Sequence, residues 1–298
     1  MIKNTPLSPI ELINPNARPF FNSVDRTTLI NNQFEDSTNQ LWLCESEQTP
    51  ARVLKVCSWA GVMDSDFWVG MQSLFGLNYP QVMGAYGAVY SRLDGLTGIP
   101  IPKLLACESA TLDFSGFLYC SKLPGITVSE VHNNMVVQLA NHIAQLHQAT
   151  HSQFGTLFNP QYSANIWWPK VIDTIQLLAQ KQNVSVDQTL LQTEQACPDS
   201  FVPIMPDLRW DQFLSDSKKL TGLVDLDAFV FGAVELEFVI LEYLLTEEQS
   251  AMFKSIYQAY QAIPDLTACR EIYRVLLFFM NVLGEKSLDA WMQAPKRF

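Results

Sequence analysis

The stretch Met205-Pro206-Asp207-Leu208-Arg209-Trp210-Asp211-Gln212-Phe213-Leu214 decides how this chain is read. It continues through a polar link, Ser215-Asp216-Ser217-Lys218-Lys219, to Gly222-Leu223-Val224-Asp225-Leu226-Asp227. Two short apolar runs each deliver an aspartate, and the polar link between them has the composition of a hairpin turn. Such a hairpin sets Asp207 and Asp225 side by side at the end of a small sheet. Two carboxylates so placed have two standard chemical uses: one as general base, the other as ligand for a hard cation such as Mg²⁺. On these residues alone a plainer reading stays open, with Asp207 and Asp211 as turn residues and Asp225 as a strand-end cap.

Working outward, the residues before this stretch divide in character. Gln40–Ser46 and Ala51–Ser58 read as paired strands around the turn Glu47–Pro50, a helix is expected within Gln81–Leu93, and Phe114–Lys122 reads as a further strand closed by Leu123-Pro124-Gly125. From Ser129 onward helices dominate. Val136, Leu139, Ile143 and Leu146 share one face within Ser129–Ala149. Asn165–Gln180 and Val186–Ala196 follow, the latter with Ser185 and Gln188 spaced as a capping box. After a short β region over Phe201–Val224 come Val234–Leu245, Glu247–Ala262 (capped by Thr246 and Gln249) and Thr267–Leu283. The fold expected is α+β in two lobes: a β-rich N-terminal domain over residues 1–121 and a mainly helical C-terminal domain over 122–298 that carries the Asp207 loop.

Composition narrows the function. The 298 residues hold 19 Lys and Arg against 30 Asp and Glu, a formal charge of −11. A nucleic-acid binder that neutralises phosphates is therefore not expected, nor is a surface that seeks anionic lipid. With 48% hydrophobic and 16% charged residues the chain can bury a large core. The most apolar stretch, Ile272–Leu283, suits a buried helix and is too short to span a bilayer. Cys44, Cys57, Cys107, Cys120, Cys197 and Cys269 are scattered without metal-ligand or disulfide spacing, which suits a reducing cytoplasm. His147 and His151 stand four residues apart, as metal ligands on a helix would, but packing is the commoner use of such residues. Trp167 and Trp168 read as core; Trp210, inside the Asp207 loop, reads equally as core or as a pocket wall.

Together these segments resemble the aminoglycoside phosphotransferase family, which includes choline-kinase-like and fructosamine-kinase-like enzymes and shares the protein-kinase fold. That family carries His-x-Asp, four residues and Asn, then a strand ending in a metal-binding Asp. Asp207 falls on its catalytic Asp, Gln212 on the Asn, and Asp225 on the metal ligand. Val53-Leu54-Lys55-Val56 falls on the strand that carries the phosphate-pairing lysine. Gly98-Ile99-Pro100-Ile101-Pro102, Phe117–Gly125 and the helix end Leu139–His147 match in order as well, and the resemblance runs from about residue 35 to 245. It implies ATP and Mg²⁺ as cofactors. Lys55, Asn39 in the phosphate-covering segment Glu35–Asn39, and Lys122 in the hinge would bind nucleotide. Asp225 and Gln212 would bind the metal.

The chain also departs from that pattern. Met205 stands where the loop has His, and Gln212 reaches one methylene further than Asn. No Asp or Glu occurs from Phe67 to Leu93, so Tyr86 stands where an acid would pair with Lys55. No glycine precedes Gly61. The resemblance thus implies an ATP- and Mg²⁺-dependent phosphotransferase acting on the hydroxyl of a small metabolite. The alternative is a catalytically weak protein of the same fold with a binding or scaffold role. From Asp187 to Glu248 there are 13 acids against 3 bases, a charge that favours a cationic substrate. The partner expected is a small molecule, with no nucleic acid and no membrane; the sequence carries no code for oligomeric state.

Overall fold

The run Arg52-Val53-Leu54-Lys55-Val56-Cys57 alternates as a half-buried strand should: Leu54 and Val56 are buried and Lys55 is half-buried on the opposite face. In the computed structural model, which describes residues 8–30, 38–192 and 196–298, this run is the middle strand of a five-stranded antiparallel sheet. In chain order the elements are β1 (Arg26–Ile30), β2 (Asn39–Glu45), β3 (Arg52–Cys57), α1 (Trp59–Met63), α2 (Asp66–Phe75), α3 (Tyr86–Asp94), β4 (Leu104–Glu108) and β5 (Gly116–Ser121). The sheet order is β1-β2-β3-β5-β4. Register sets Lys55 between Leu41 of β2 and Leu118 of β5. Beneath the sheet Trp42, Leu54, Val56, Phe117 and Tyr119 pack with Ile13, Ala17 and Phe21.

The second part of the chain is α-rich. It contains β6 (Ile126–Thr127), α4 (Asn133–Leu146), β7 (Gln153–Thr156), β8 (Asn159–Ser163), α5 (Trp167–Gln182), α6 (Gln188–Leu191), β9 (Val202–Ile204), β10 (Phe213–Ser215), β11 (Leu220–Leu223) and β12 (Val230–Gly232). Four helices close it: α7 (Val234–Leu244), α8 (Glu247–Tyr257), α9 (Arg270–Phe279) and α10 (Leu288–Met292). Two small antiparallel sheets run through it, β11-β10-β6 and β8-β7-β12-β9. The apolar face foreseen on α4 is buried at Val136, Leu139, Ile143 and Leu146. The capping box at Thr246 and Gln249 forms at the start of α8.

Residues group into two compact units that interleave along the chain. One comprises Met1–Ser65, Asn78–Ser91 and Pro102–Lys122; the other comprises Asp66–Leu77, Arg92–Ile101 and Leu123–Phe298. Two stretches of the first 121 residues therefore belong with the helical unit. One of them holds α2, an element the sequence reading passed over, although Trp68, Met71, Leu74 and Phe75 are spaced as a helical face and are buried. The capping box expected at Ser185 is a correction: Asp187 caps α6 by accepting from the Thr189 N–H at 2.9 Å, and that helix stops at Leu191. Among the described residues no helix is long and apolar enough to cross a membrane.

Candidate active site

The loop between β9 and β10 is tied together by its own hydrogen bonds. Leu208 N–H donates to Met205 O at 3.0 Å, closing a turn with Asp207 near its apex. Gln212, 2% exposed, donates from Nε2 to Asp207 O at 3.1 Å and to Asp207 Oδ2 at 3.0 Å, while its Oε1 accepts from Arg209 N at 3.1 Å. Across the β10–β11 hairpin, Val224 N–H donates to Gln212 O at 2.8 Å, which ties the strand leading to Asp225 to the end of the loop. Asp225 itself takes a left-handed conformation, φ 63 and ψ 58. Asp and Asn tolerate that region better than most residues, and the turn lets a three-residue helical segment, Leu226–Ala228, begin beside the loop.

Gly125, closing Leu123-Pro124-Gly125, abuts the same hairpin. Its φ is +114, and a Cβ there would overlap the Thr221 hydroxyl, which itself donates to Pro124 O at 3.0 Å. Only glycine meets both demands.

Electrostatically the loop is poised. Burial pushes the Asp207 carboxyl up to about 7, and the nearby Asp225 charge pushes in the same direction, with Arg209 opposing. Asp207 Oδ1 is buried and has no hydrogen-bond partner among the described residues, whereas Oδ2 is clamped by Gln212. Arg209 pairs with Asp211, Nε to Oδ1 at 3.3 Å. Asp227 is 2% exposed. The donor set is all oxygen, the chemistry a hard cation requires, and an orphaned carboxylate oxygen beside a second carboxylate is an environment that a cation relieves. Among the described residues no three His, Cys, Asp or Glu side chains form a metal-holding group. One or two carboxylates with phosphate and water completing the shell is the usual Mg²⁺ arrangement, so the residues fit that ion.

The loop is braced from below by residues that sequence reasoning missed. Met205, at the His position, buries its side chain, and its backbone N–H donates to Glu237 Oε1 at 2.8 Å. Glu237 Oε2 lies 2.7 Å from His147 Nε2, His147 Nδ1 lies 2.8 Å from the Tyr257 hydroxyl, and Gln261 Nε2 donates to that hydroxyl at 2.5 Å. A carboxylate only accepts, so His147 donates from Nε2 to Glu237. The signal in the sequence was an acid inside the apolar run Leu236–Leu241, which needs a buried partner. The spacing of His147 and His151 does not make a metal pair: α4 ends at Leu146, and His151 Nδ1 contacts the Gln153 backbone. Trp167 and Trp168 are core, their indole N–H groups donating to Tyr273 Oη and Ala196 O. Trp210, half-buried, donates to Leu244 O at 3.3 Å and leans on Phe213.

The remaining expected residues lie in the sheet-bearing unit. Lys55 is central in β3. Asn39 starts β2 and is 9% exposed, with Oδ1 accepting from Tyr79 Oη at 3.0 Å. Glu35, Asp36 and Ser37 of the expected phosphate-covering segment lie outside the described residues. Lys122 follows β5, and its backbone N–H donates to Ala51 O at 3.2 Å. Tyr86 is buried, edge-on to Tyr79 with ring centroids 6.1 Å apart.

A sheet-bearing unit and a helical unit whose loop presents an aspartate, followed by a hairpin that ends in a second one, define a kinase-like phosphotransferase fold. Residues 39–272 match the phosphotransferase enzyme family, and the chain belongs to that family. Among solved structures it is similar to a thermostable mutant of aminoglycoside phosphotransferase APH(4)-Ia in ternary complex with ADP and hygromycin B, at 15% identity and a TM-score of 0.60, over 93% of this chain and 94% of that one. It is also similar to the macrolide 2'-phosphotransferase MphH from Brachybacterium faecium, at 12% identity and a TM-score of 0.57, over 96% and 99% of the two chains. A third is the GDP and kanamycin complex of APH(2")-IIia, at 14% identity and 0.54, over 89% and 88%. At these identities the likeness is one of fold. In a comparison with curated protein sequences nothing matches.

Proposed function

We propose that this protein is an ATP- and Mg²⁺-dependent kinase of a small-molecule hydroxyl. The observation that carries the reading is Asp207: one carboxylate oxygen is clamped by Gln212, and the other is buried with no hydrogen-bond partner among the described residues. That is the disposition of a general base awaiting a proton. In this reading Oδ1 accepts the proton of the acceptor hydroxyl as the hydroxyl oxygen bonds to the terminal phosphorus of ATP and the bond from that phosphorus to the bridging oxygen breaks, releasing ADP. Asp225 would hold the cation. When bound, the cation offsets charge on the transferring phosphoryl group. Lys55 pairs with the nucleotide phosphates, and Asn39 and Lys122 belong to the segments that would lie along the nucleotide. Bound ADP and GDP in the related structures support a nucleotide site of this kind. The acidity around the loop favours a cationic acceptor, and hygromycin B and kanamycin in those structures support a small-molecule one. The scattered free cysteines suit a reducing cytoplasm.

A thermal-shift titration with ATP and Mg²⁺ tests the nucleotide half of this reading. Binding to the native state raises the midpoint with ligand concentration; no shift at millimolar nucleotide sinks the proposal. The acid-free stretch before Leu93 favours a second reading, a kinase-fold binding protein of weak activity. That reading gains if nucleotide binds without any transfer.

A further inference from the structure

Every polar atom of the Gln212 side chain is committed inside the loop. Nε2 reaches two acceptors of Asp207, the backbone oxygen at 3.1 Å and Oδ2 at 3.0 Å, and Oε1 reaches the Arg209 N–H at 3.1 Å. The partners fix the orientation of the amide. Turned over, its oxygen would face two acceptors and its NH₂ a donor. The side chain is 2% exposed, so losing any of these bonds leaves a buried group unpaired. Through its backbone oxygen the same residue also holds Val224, one position before Asp225.

We propose that Gln212 is a positioning residue that fixes the Asp207 carboxylate with Oδ1 facing the acceptor hydroxyl, leaving cation binding to Asp225. The catalytic part of this inference rests on the kinase reading above. Its opposite is a Gln212 that serves chiefly as a second cation ligand, and the two roles respond to substitution in opposite directions. Gln212→Glu is isosteric and keeps an acceptor for the Arg209 N–H. It loses the donor to Oδ2 and adds a like charge beside Asp207, which harms a positioning role and strengthens a cation ligand.

The test compares wild type, Gln212→Ala and Gln212→Glu, each first shown to unfold cooperatively. Mn²⁺ bound in the presence of ADP is counted by electron paramagnetic resonance, and ATP hydrolysis to water is measured alongside. The expected result is turnover lowered about 10-fold or more in both variants, with the KM for ATP and the number of Mn²⁺ ions held by Gln212→Ala unchanged. Loss of one bound ion in Gln212→Ala, or turnover retained or raised in Gln212→Glu, overturns the assignment. Should the wild-type protein hydrolyse no ATP, the kinase reading falls by itself. Gln212 is then judged on amide hydrogen exchange: Gln212→Ala must speed exchange at the Arg209 N–H, and an unchanged rate refutes the positioning role.

Discussion

Glu237 Oε1 accepts the backbone N–H of Met205 at 2.8 Å, and both residues are 1% exposed. A helix of the α-rich unit thus grips the start of the loop that presents Asp207, and the other oxygen of the same carboxylate holds His147. The chain lacks a loop histidine at this position, yet the loop is not left unbraced; the brace comes from α7 through the main chain.

Glu237→Ala removes an acceptor from two buried donors at once. It is expected to lower stability by about 3–5 kcal/mol, the range for breaking a buried pair from one side. Glu237→Gln keeps an acceptor for Met205 N–H and is expected to lose less than half of that. Urea unfolding of the two variants measures the difference, and equal losses would show that the Met205 contact contributes nothing.

Asp207 should be a site where stability is sacrificed. In the unfolded chain its carboxyl ionises near 3.8, in the fold near 7. Below about pH 4 it is protonated in both states and carries no penalty. Between about pH 4 and 7 only the unfolded chain sheds the proton, so native stability falls as pH rises, at about 1.4 kcal/mol per pH unit. Above about pH 7 the penalty is constant. Asp207→Asn, which still accepts from Gln212 Nε2, is therefore expected to be more stable than wild type by about 2–4 kcal/mol at pH 8. That advantage should vanish near pH 4. Chemical denaturation at the two pH values decides it.

Asp225 raises Asp207 by its charge and is the proposed cation holder. Asparagine tolerates the left-handed backbone at this position, so Asp225→Asn keeps the fold. It should lower the pH at which Asp207 ionises and raise the Mg²⁺ concentration needed for half-maximal turnover by about 10-fold or more. Unchanged Mg²⁺ dependence would move the cation away from Asp225.

A second buried charge cluster centres on Glu242, which shares α7 with Glu237. Glu242, 1% exposed, accepts from Arg270 Nε at 3.1 Å and from Arg274 Nη2 at 2.7 Å, and also from the Arg297 backbone N–H at 2.9 Å. Arg274 also donates to the carbonyls of Met292, Ala294 and Pro295. Arg274→Met strips a partner from the buried Glu242 carboxylate and from three backbone carbonyls and should destabilise by about 3–5 kcal/mol. Because the cluster is buried, the effect should hardly change between low and high salt. A loss that disappears at high salt would mark the cluster as solvated.

How much of this was legible in the sequence follows from what each feature depends on. The strands around Lys55, the apolar face of α4 and the Thr246 cap are local patterns, periodic or adjacent in sequence, and they form as read. The pair Asp207 and Asp225 was visible because a hairpin, itself local, connects them. What escaped were long-range pairings. The Glu237–His147–Tyr257 chain joins residues 90 and 110 positions apart, and no local pattern announces which acid a buried histidine will meet. The second role of Gln212 was hidden for a different reason. Its type and spacing matched a cation ligand, and only the amide's three hydrogen bonds reveal that it reaches back to Asp207. Asn39, placed by position beside phosphate, turns out to be nearly buried against Tyr79, a contact across 40 residues that strand alternation alone does not supply.

Asp207 is proposed to accept the proton of a hydroxyl during phosphoryl transfer from ATP. The most direct test of that role is a paired measurement on wild type and Asp207→Ala: ADP formation with Mg²⁺-ATP against a panel of amino sugars and amino alcohols, and ATP affinity by calorimetry. Turnover is expected with at least one acceptor, reduced about 10²–10⁴-fold in Asp207→Ala, while ATP affinity changes by less than about 3-fold, under 1 kcal/mol. Turnover that survives the substitution, or turnover and ATP affinity lost in equal measure, would contradict it.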